Sequence, residues 1–136
     1  MDIIKGYKDE IFKLSMGANI VGEELKKLIK NYGVDMEDEL DVSPFEYSYT
    51  FRNREYLAKN YKLLSNDEKE LLQYYDSILL SRAKEFYDYL KPIKIWGESS
   101  ISIKYWWYHL DKVISGKLKI NLKENKLTYE DKIIKL

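Results

Sequence analysis

Apolar residues recur every three or four positions in the first part of the chain, which is the spacing of one face of an α-helix. The clearest stripe predicts a helix over residues 18–32, and Gly33 is expected to end it because glycine readily adopts the left-handed conformation of a C-terminal cap. A weaker repeat predicts an earlier helix over residues 3–15, so that residues 1–33 form a helical hairpin. The stripe of the second helix consists of Val21, Leu25, Leu28 and Tyr32.

The helical pattern returns in the middle of the chain. A helix is predicted over residues 52–64, and Ser65 with Glu68 has the spacing of a capping box, in which each side chain bonds the backbone N–H of the other residue. The long apolar stripe that follows predicts a central helix that continues to Pro92, because proline cannot donate the backbone hydrogen bond of a helix interior. A last helix is predicted over residues 102–116.

Residues 34–51 do not follow the helical spacing. Their first part is acidic, and Ser43 and Glu46 around Pro44 again have the form of a capping box. In the second part, aromatic residues alternate with polar ones, a pattern typical of a β-strand. We expect an acidic loop followed by an irregular or extended aromatic segment. The alternating aromatic residues are Phe45, Tyr47, Tyr49 and Phe51.

The end of the chain alternates as well. Leu118, Ile120 and Leu122 are separated by polar residues, and the alternation resumes at Leu127 after a polar turn, which predicts a β-hairpin over residues 117–136. Since an isolated hairpin is only marginally stable in water, its apolar face is expected to pack on the helices.

These patterns together predict a mainly α fold, a small helical bundle of about five helices with a C-terminal β-hairpin packed on it, which is α+β in the broad sense. The chain has 136 residues, the length of one domain, and contains neither an internal repeat nor a low-complexity linker. We expect a single domain over residues 1–136. Its parts are the helical hairpin 1–33, the acidic loop and aromatic segment 34–51, the helical core 52–116 and the β-hairpin 117–136.

The composition excludes several kinds of chemistry. The chain has no cysteine and a single histidine, His109, which leaves no disulfide, no thiolate or multi-histidine metal site, no iron–sulfur cluster and no cysteine nucleophile. The glycine-rich phosphate loops G-x-x-x-x-G-K and G-x-G-x-x-G do not occur either. We therefore expect no cofactor and no bound metal.

The sequence also gives an expectation about location. No apolar stretch approaches the roughly 18 residues that a helix needs to cross a bilayer. Residues 1–8 lack the apolar run of a signal peptide. We expect a cytoplasmic protein without a membrane partner.

The formal net charge is zero, but the charges are unevenly distributed. Residues 1–50 contain six lysines and eleven carboxylates, whereas residues 51–136 contain seventeen basic and twelve acidic residues, so the two parts carry −5 and +5. Five carboxylates fall within seven positions of the acidic loop, which favours contact with a basic partner and accelerates its approach. These residues are Asp35, Glu37, Asp38, Glu39 and Asp41.

The same acidic run matches part of the spacing of an EF-hand calcium loop. Oxygen-bearing residues stand at positions 1, 3, 5, 7, 9 and 12 of a loop that would begin at Asp35. The sixth position, where the sharp turn of such a loop requires glycine, is Leu40, and Pro44 interrupts the exiting helix. A solvated acidic loop therefore explains the run better than calcium binding does.

Aromatic residues are concentrated in residues 105–112. Neighbouring residues of an α-helix point about 100° apart, so Trp106 and Trp107 are not expected to face one core. Trp107 is expected either beneath the C-terminal hairpin or partly exposed, as an anchor for a partner. His109 and Asp111 point to nearly opposite sides of the predicted helix, and without a nearby nucleophile His109 is predicted to be an ordinary, non-catalytic histidine.

Two alternative functions use the charged second half of the chain. A nucleic-acid-binding regulator would use Arg52, Arg54 and the lysines of the C-terminal hairpin, although few arginines are present to read base edges. A small hydrolase or nuclease would need a carboxylate site, and the triplets 124–126 and 130–132 have the acidic-x-lysine form of metal-dependent nucleases. In a chain that is 34% charged, such triplets arise by chance.

By elimination, we expect a small protein that binds another protein and is not an enzyme. Immunity proteins, antitoxins and inhibitors of defence enzymes have this profile, and they neutralise a partner, such as a nuclease toxin, by occluding it. The partner is expected to carry a basic surface that the acidic loop covers. Tyr47, Tyr49 and Trp107 are the predicted aromatic anchors beside the five carboxylates of the loop.

Overall fold

A computed structural model describes residues 17–93 and 100–136, with side chains from residue 22 onward. These residues form five α-helices and a C-terminal antiparallel sheet, which confirms the predicted mainly α fold. The helix predicted over residues 3–15, and with it the helical hairpin, lies outside the described residues. None of the described helices combines the length and the apolar character of a membrane span. The helices are α1 (Gly17–Glu37), α2 (Thr50–Lys59), α3 (Asn66–Ser81), α4 (Ala83–Tyr89) and α5 (Leu110–Ile114).

Helix α1 is longer than predicted, because it does not end at Gly33. The ring of Tyr75 on α3 lies against the α1 backbone at this residue, and a Cβ atom built on Gly33 would stand 2.2 Å from the ring carbon Cζ. Gly33 therefore allows two helices to approach closely instead of capping one. As a consequence, Asp35 and Glu37 belong to the last turn of α1 and not to a loop.

Helix α3 begins at the predicted capping box. The Ser65 hydroxyl accepts a hydrogen bond from the Glu68 backbone N–H at 3.1 Å, and the Glu68 carboxylate accepts one from the Ser65 N–H at 2.7 Å. The continuous central helix is wrong, since the backbone leaves helical geometry at Arg82 and α4 follows as a separate helix. The Arg82 guanidinium donates to the Met36 carbonyl and pairs with Glu85, which holds this break beside the end of α1.

The aromatic segment is helical and not extended. A 3-10 helix forms at Pro44–Tyr47, where the Ser43 hydroxyl accepts a hydrogen bond from the Phe45 N–H at 3.4 Å, and α2 already starts at Thr50. Proline favours the first turn of a helix because its backbone angle φ is already helical. The alternation of aromatic residues favoured an extended segment and so did not predict this 3-10 helix. Further 3-10 helices lie at Tyr61–Leu63, Lys91–Ile93 and Trp106–Tyr108.

The C-terminal hairpin is present and is extended by a third strand. Its last turn consists of Glu130 and Asp131, whose φ angles of 51° and 64° are both left-handed, as in the type I′ turn of a two-residue hairpin. Neither residue is the glycine that usually marks such a turn, which is why the sequence did not predict the third strand. The strands are β1 (Leu118–Asn121), β2 (Lys126–Tyr129) and β3 (Lys132–Lys135), in the order β1-β2-β3.

The two faces of the sheet differ in chemistry. Ile120, Leu127 and Ile134 are paired across the three strands, and together with the buried Leu118 they form an apolar face that packs on the helices through α5. The predicted packing of the hairpin on the helices is thus confirmed. The opposite face carries the lysines Lys119, Lys126 and Lys135.

The buried apolar side chains of the helices and the sheet form one cluster. Both Trp106 and Trp107 belong to it, each with 1% of its surface exposed, which contradicts the prediction that only one of them faces the core. The reason is that Trp106–Tyr108 is a 3-10 helix separated from the short α5 by an irregular His109, so the predicted helix over residues 102–116 does not form. Five consecutive residues, Trp106 to Leu110, are buried.

Candidate functional site

The loop after α1 is anchored by Leu40. This residue is 6% exposed and has a left-handed φ of 57°, a conformation that costs about 1 kcal/mol for a residue with a Cβ atom. Burial of the leucine side chain offsets that cost. Its neighbours Glu39 and Asp41 are exposed on either side. The chain therefore makes its turn at the position where a calcium loop would have glycine, but the turn serves to bury an apolar side chain.

Two of the five predicted carboxylates are used inside the protein. Asp35 accepts a hydrogen bond from the Thr50 hydroxyl at 2.7 Å and so connects α1 to α2. Asp38 accepts hydrogen bonds from the Tyr47 hydroxyl and, at 2.9 Å, from the Glu39 N–H. Burial raises the pKa of Asp35, and burial together with the Asp38 carboxylate raises the pKa of Tyr47. Asp35 and Asp38 therefore fix the shape of the segment.

The other three predicted carboxylates, Glu37, Glu39 and Asp41, are exposed, and Glu46 joins them. Tyr89 at the end of α4 lies near two of them, since its pKa is raised by burial and then by the charges of Asp41 and Glu46.

Exposed apolar side chains lie among these carboxylates. Val42, Phe45 and Tyr49 are exposed to 41%, 63% and 55%. Aromatic rings left in contact with water beside charged groups are typical of surfaces that bind other proteins. We call this region the acidic-aromatic surface. It consists of Glu37, Glu39, Asp41, Val42, Phe45, Glu46 and Tyr49.

The charge of the acidic-aromatic surface is not neutralised. None of its carboxylates forms an ion pair with any residue in 17–93 or 100–136. Some carboxylates elsewhere are paired, as Asp88 is with Lys84 at 2.9 Å and Glu55 with Lys59 at 2.8 Å. The exposed carboxylates of this surface therefore keep their negative charge.

Only one of the three predicted aromatic anchors is on the surface. Tyr49 is exposed, but Tyr47 is 2% and Trp107 is 1% exposed. Tyr47 packs edge-on against Tyr89 with ring centroids 6.1 Å apart, and the Arg54 guanidinium lies 4.3 Å from the ring centroid of Trp107. Tyr47 and Trp107 are thus corrected to core residues. Phe45, which is exposed to 63%, was not among the predicted anchors, because the alternation of aromatic residues does not show which of them are exposed.

Arg54, which the nucleic-acid alternative requires, is buried in an ion pair. Its Nε and Nη2 atoms each donate to one carboxylate oxygen of Asp76 at 2.9 Å, and the Tyr32 hydroxyl donates to Asp76 at 2.8 Å. Burial disfavours the charged form of Arg54, but the attraction of the Asp76 carboxylate is the stronger effect. The pKa of Arg54 is therefore raised. Arg54 therefore cannot read base edges. Arg52 remains exposed.

The single histidine is a core residue. His109 is 2% exposed, with Nε2 at 3.0 Å from the Ile101 carbonyl and Nδ1 at 3.3 Å from the Lys112 amine. Burial and the Lys112 charge lower its pKa.

The acidic-x-lysine triplets 124–126 and 130–132 both start in turns of the sheet. Across the described ranges, no group of three or more acidic or histidine side chains is placed to hold a metal ion.

Two features thus stand apart from ordinary core packing, the acidic-aromatic surface and the Arg54–Asp76 pair. Comparison of the chain with protein-family models, with curated proteins and with solved structures finds no significant match.

Proposed function

We propose that this protein binds another protein through the acidic-aromatic surface and neutralises that partner by occlusion, in the manner of immunity proteins and antitoxins. One observation carries the proposal: exposed carboxylates without ion-pair partners stand in the same stretch of chain as exposed aromatic rings. Burial of the rings Phe45 and Tyr49 supplies binding free energy. The uncompensated negative charge selects a partner with a basic surface.

The surface is held in shape before any partner arrives. The hydrogen bonds of Asp35 and Asp38 and the burial of Leu40 fix the backbone on which the exposed residues stand. A pre-organised loop loses less conformational entropy on binding, so more of the contact energy appears as affinity. This explains how the half-buried Asp35 and Asp38 support binding without touching the partner.

The partner we expect is a protein whose basic cleft or patch would otherwise contact nucleic acid. Opposite charge speeds the encounter of such a pair, and the effect weakens as salt shortens the Debye length to about 10 Å at 0.1 M. The aromatic rings are expected to slow dissociation, because truncating central anchors mainly raises the dissociation rate.

The charge part of the proposal is tested with matched double variants. Glu39→Gln with Asp41→Asn removes two charges from the acidic-aromatic surface, and Asp67→Asn with Glu70→Gln removes two exposed charges from α3. Association with the purified product of the adjacent gene is measured by biolayer interferometry at low and high salt. The first variant should lose at least about tenfold in association rate with an unchanged melting temperature. The α3 variant should associate as the parent protein does.

Equal association of both variants would contradict the use of this surface, and absence of association would contradict the immunity-protein form of the proposal.

The aromatic part is tested with Phe45→Ser and Tyr49→Ser. Each should raise the dissociation rate by about tenfold. Leu63→Ser is the control, because Leu63 is 60% exposed but lies outside the acidic-aromatic surface.

A further inference from the structure

A cleft lies between α2 and the turn that joins β1 to β2, and it shares no residue with the acidic-aromatic surface. Its volume is about 470 Å³, within the range of about 300–1,000 Å³ that is usual for small-molecule sites. The 3-10 helix Trp106–Tyr108 forms one wall, and Leu122 and Asn125 of the turn form another.

The ionisable groups around the cleft are mostly cationic. Lys59, Lys62 and Lys104 are exposed, while Arg54 lines its buried part. Among the described lining side chains the single carboxylate is Asp76, and it is already neutralised by the hydrogen bonds of Arg54. Even with Lys59 paired to a neighbouring glutamate, the cleft keeps an excess of positive charge. Such a lining favours an anion.

Two buried N–H donors in the wall lack a hydrogen-bond acceptor among the protein atoms described. They are Nη1 of Arg54 and Nε1 of Trp107. Both side chains are more than nine-tenths buried, and the guanidinium lies over the indole ring. The remaining donors of Arg54 face Asp76, so Nη1 is the atom left for another acceptor. Buried donors without acceptors are rare in proteins and often mark a ligand or functional site.

The cleft also offers flat apolar surface. Tyr61, Tyr105 and Trp107 line it, and the rings of Tyr105 and Trp107 have centroids 5.6 Å apart. Aromatic side chains of this kind stack on planar rings of ligands, and the lysines at the edge attract an anionic group. The two kinds of contact lie within one cleft, so a single small molecule can make both.

We propose that this cleft binds a small molecule that joins a planar ring to a phosphate or carboxylate group. The anionic oxygens would face the Lys62 and Lys104 amines, and the ring would stack on the tyrosines. The small extent of the cleft favours a small molecule over a nucleic-acid strand, which needs a basic track that continues along the surface. The site is independent of the proposed partner binding.

The test follows the indole N–H resonance of Trp107 in ¹⁵N-labelled protein. Phenyl phosphate and benzoate are the anionic probes, inorganic phosphate lacks the ring, and benzamidine has the ring with the opposite charge. Phenyl phosphate, benzoate or both should shift the resonance with saturation at or below about 10 mM and raise the melting temperature. Which of the two saturates first separates phosphate from carboxylate ligands. Benzamidine should produce no shift.

Matched lysine variants locate the site. Lys62→Gln with Lys104→Gln should weaken the probe that binds by about fivefold, while Lys30→Gln should leave its affinity unchanged, because Lys30 is exposed in a different groove. The absence of a saturable shift with both anionic probes would overturn the proposal. Equal weakening by both sets of variants would also overturn it, as would inorganic phosphate binding as tightly as phenyl phosphate, since either shows an adventitious ion only.

Discussion

The buried Arg54–Asp76 pair gives the sharpest prediction of stability. Its side chains are 8% and 5% exposed, and the Asp76 carboxylate accepts hydrogen bonds at 2.9, 2.9 and 2.8 Å from Arg54 and Tyr32. Asp76→Ala removes all three bonds and leaves the guanidinium and the Tyr32 hydroxyl buried without their partner. Breaking a buried pair in this way costs about 3–5 kcal/mol.

That loss is a large part of the stability of a small domain, which is about 5–15 kcal/mol. The double variant Arg54→Met with Asp76→Leu removes both charges and fills the space with apolar groups. It should lose less stability than Asp76→Ala, because neither charge must then be taken out of water and only the Tyr32 hydroxyl is left without its acceptor. The single and double variants should therefore differ clearly in stability, although they disrupt the same pair.

Urea unfolding followed by tryptophan fluorescence measures both variants against Asp88→Ala, the control. Asp88 forms an exposed pair with Lys84, and exposed pairs contribute little measurable stability. If Asp76→Ala unfolds at the same urea concentration as Asp88→Ala, the buried pair contributes no more to stability than an exposed pair does. If the double variant is as unstable as Asp76→Ala, the desolvation reasoning is refuted.

Three further predictions concern the backbone and the histidine. Gly33→Ala should destabilise the protein by about 2 kcal/mol, because the new Cβ atom meets the Tyr75 ring. Gly22→Ala should instead stabilise α1 by about 1 kcal/mol, because nothing lies within 4 Å of a Cβ atom at that position. Thermal melting measures both variants. Burial lowers the pKa of His109 below 6.5, so the unfolded chain takes up the proton first and the free energy of unfolding should fall as the pH drops through 6.5. This step should be absent from urea titrations of His109→Gln. Asp131→Gly should raise the melting temperature by relieving the left-handed φ of 64°, with a net gain of about 0.5 kcal/mol.

The local signals of the sequence predicted local structure well. The capping box at Ser65 was confirmed because both of its partners lie within one turn of chain. Gly33 was misinterpreted for the opposite reason. Its role depends on the Tyr75 ring, which comes from another helix, and the sequence alone does not show which distant residue packs against a glycine.

The same limit applies to the aromatic run. Helical periodicity separated Trp106 from Trp107, yet both are buried because Arg54 covers Trp107 from α2. The charge of Arg54 is tolerated there only because Asp76 neutralises it from α3. A buried ion pair between two helices leaves no periodic signal, so Arg54 was interpreted as a surface residue.

The acidic run was recognised from the sequence, but its internal division was not. Asp35 and Asp38 are turned inward by the hydroxyl groups of Thr50 and Tyr47, and the intervening Glu37 remains exposed. Spacing alone treats these carboxylates as equivalent. The exposed members are those proposed to contact a partner, while the inward members stabilise the loop.

The acidic-aromatic surface and the basic cleft share no residue. Ion pairs of the described residues are mostly local, as between Lys126 and Glu124 at the turn of the sheet, and none joins the acidic-aromatic surface to the basic cleft. Each region therefore keeps its own charge. If both proposals hold, Glu39→Gln with Asp41→Asn should leave probe binding in the cleft unchanged, and Lys62→Gln with Lys104→Gln should leave partner association unchanged. An effect of either variant on the other ligand would show that one occupant covers both regions.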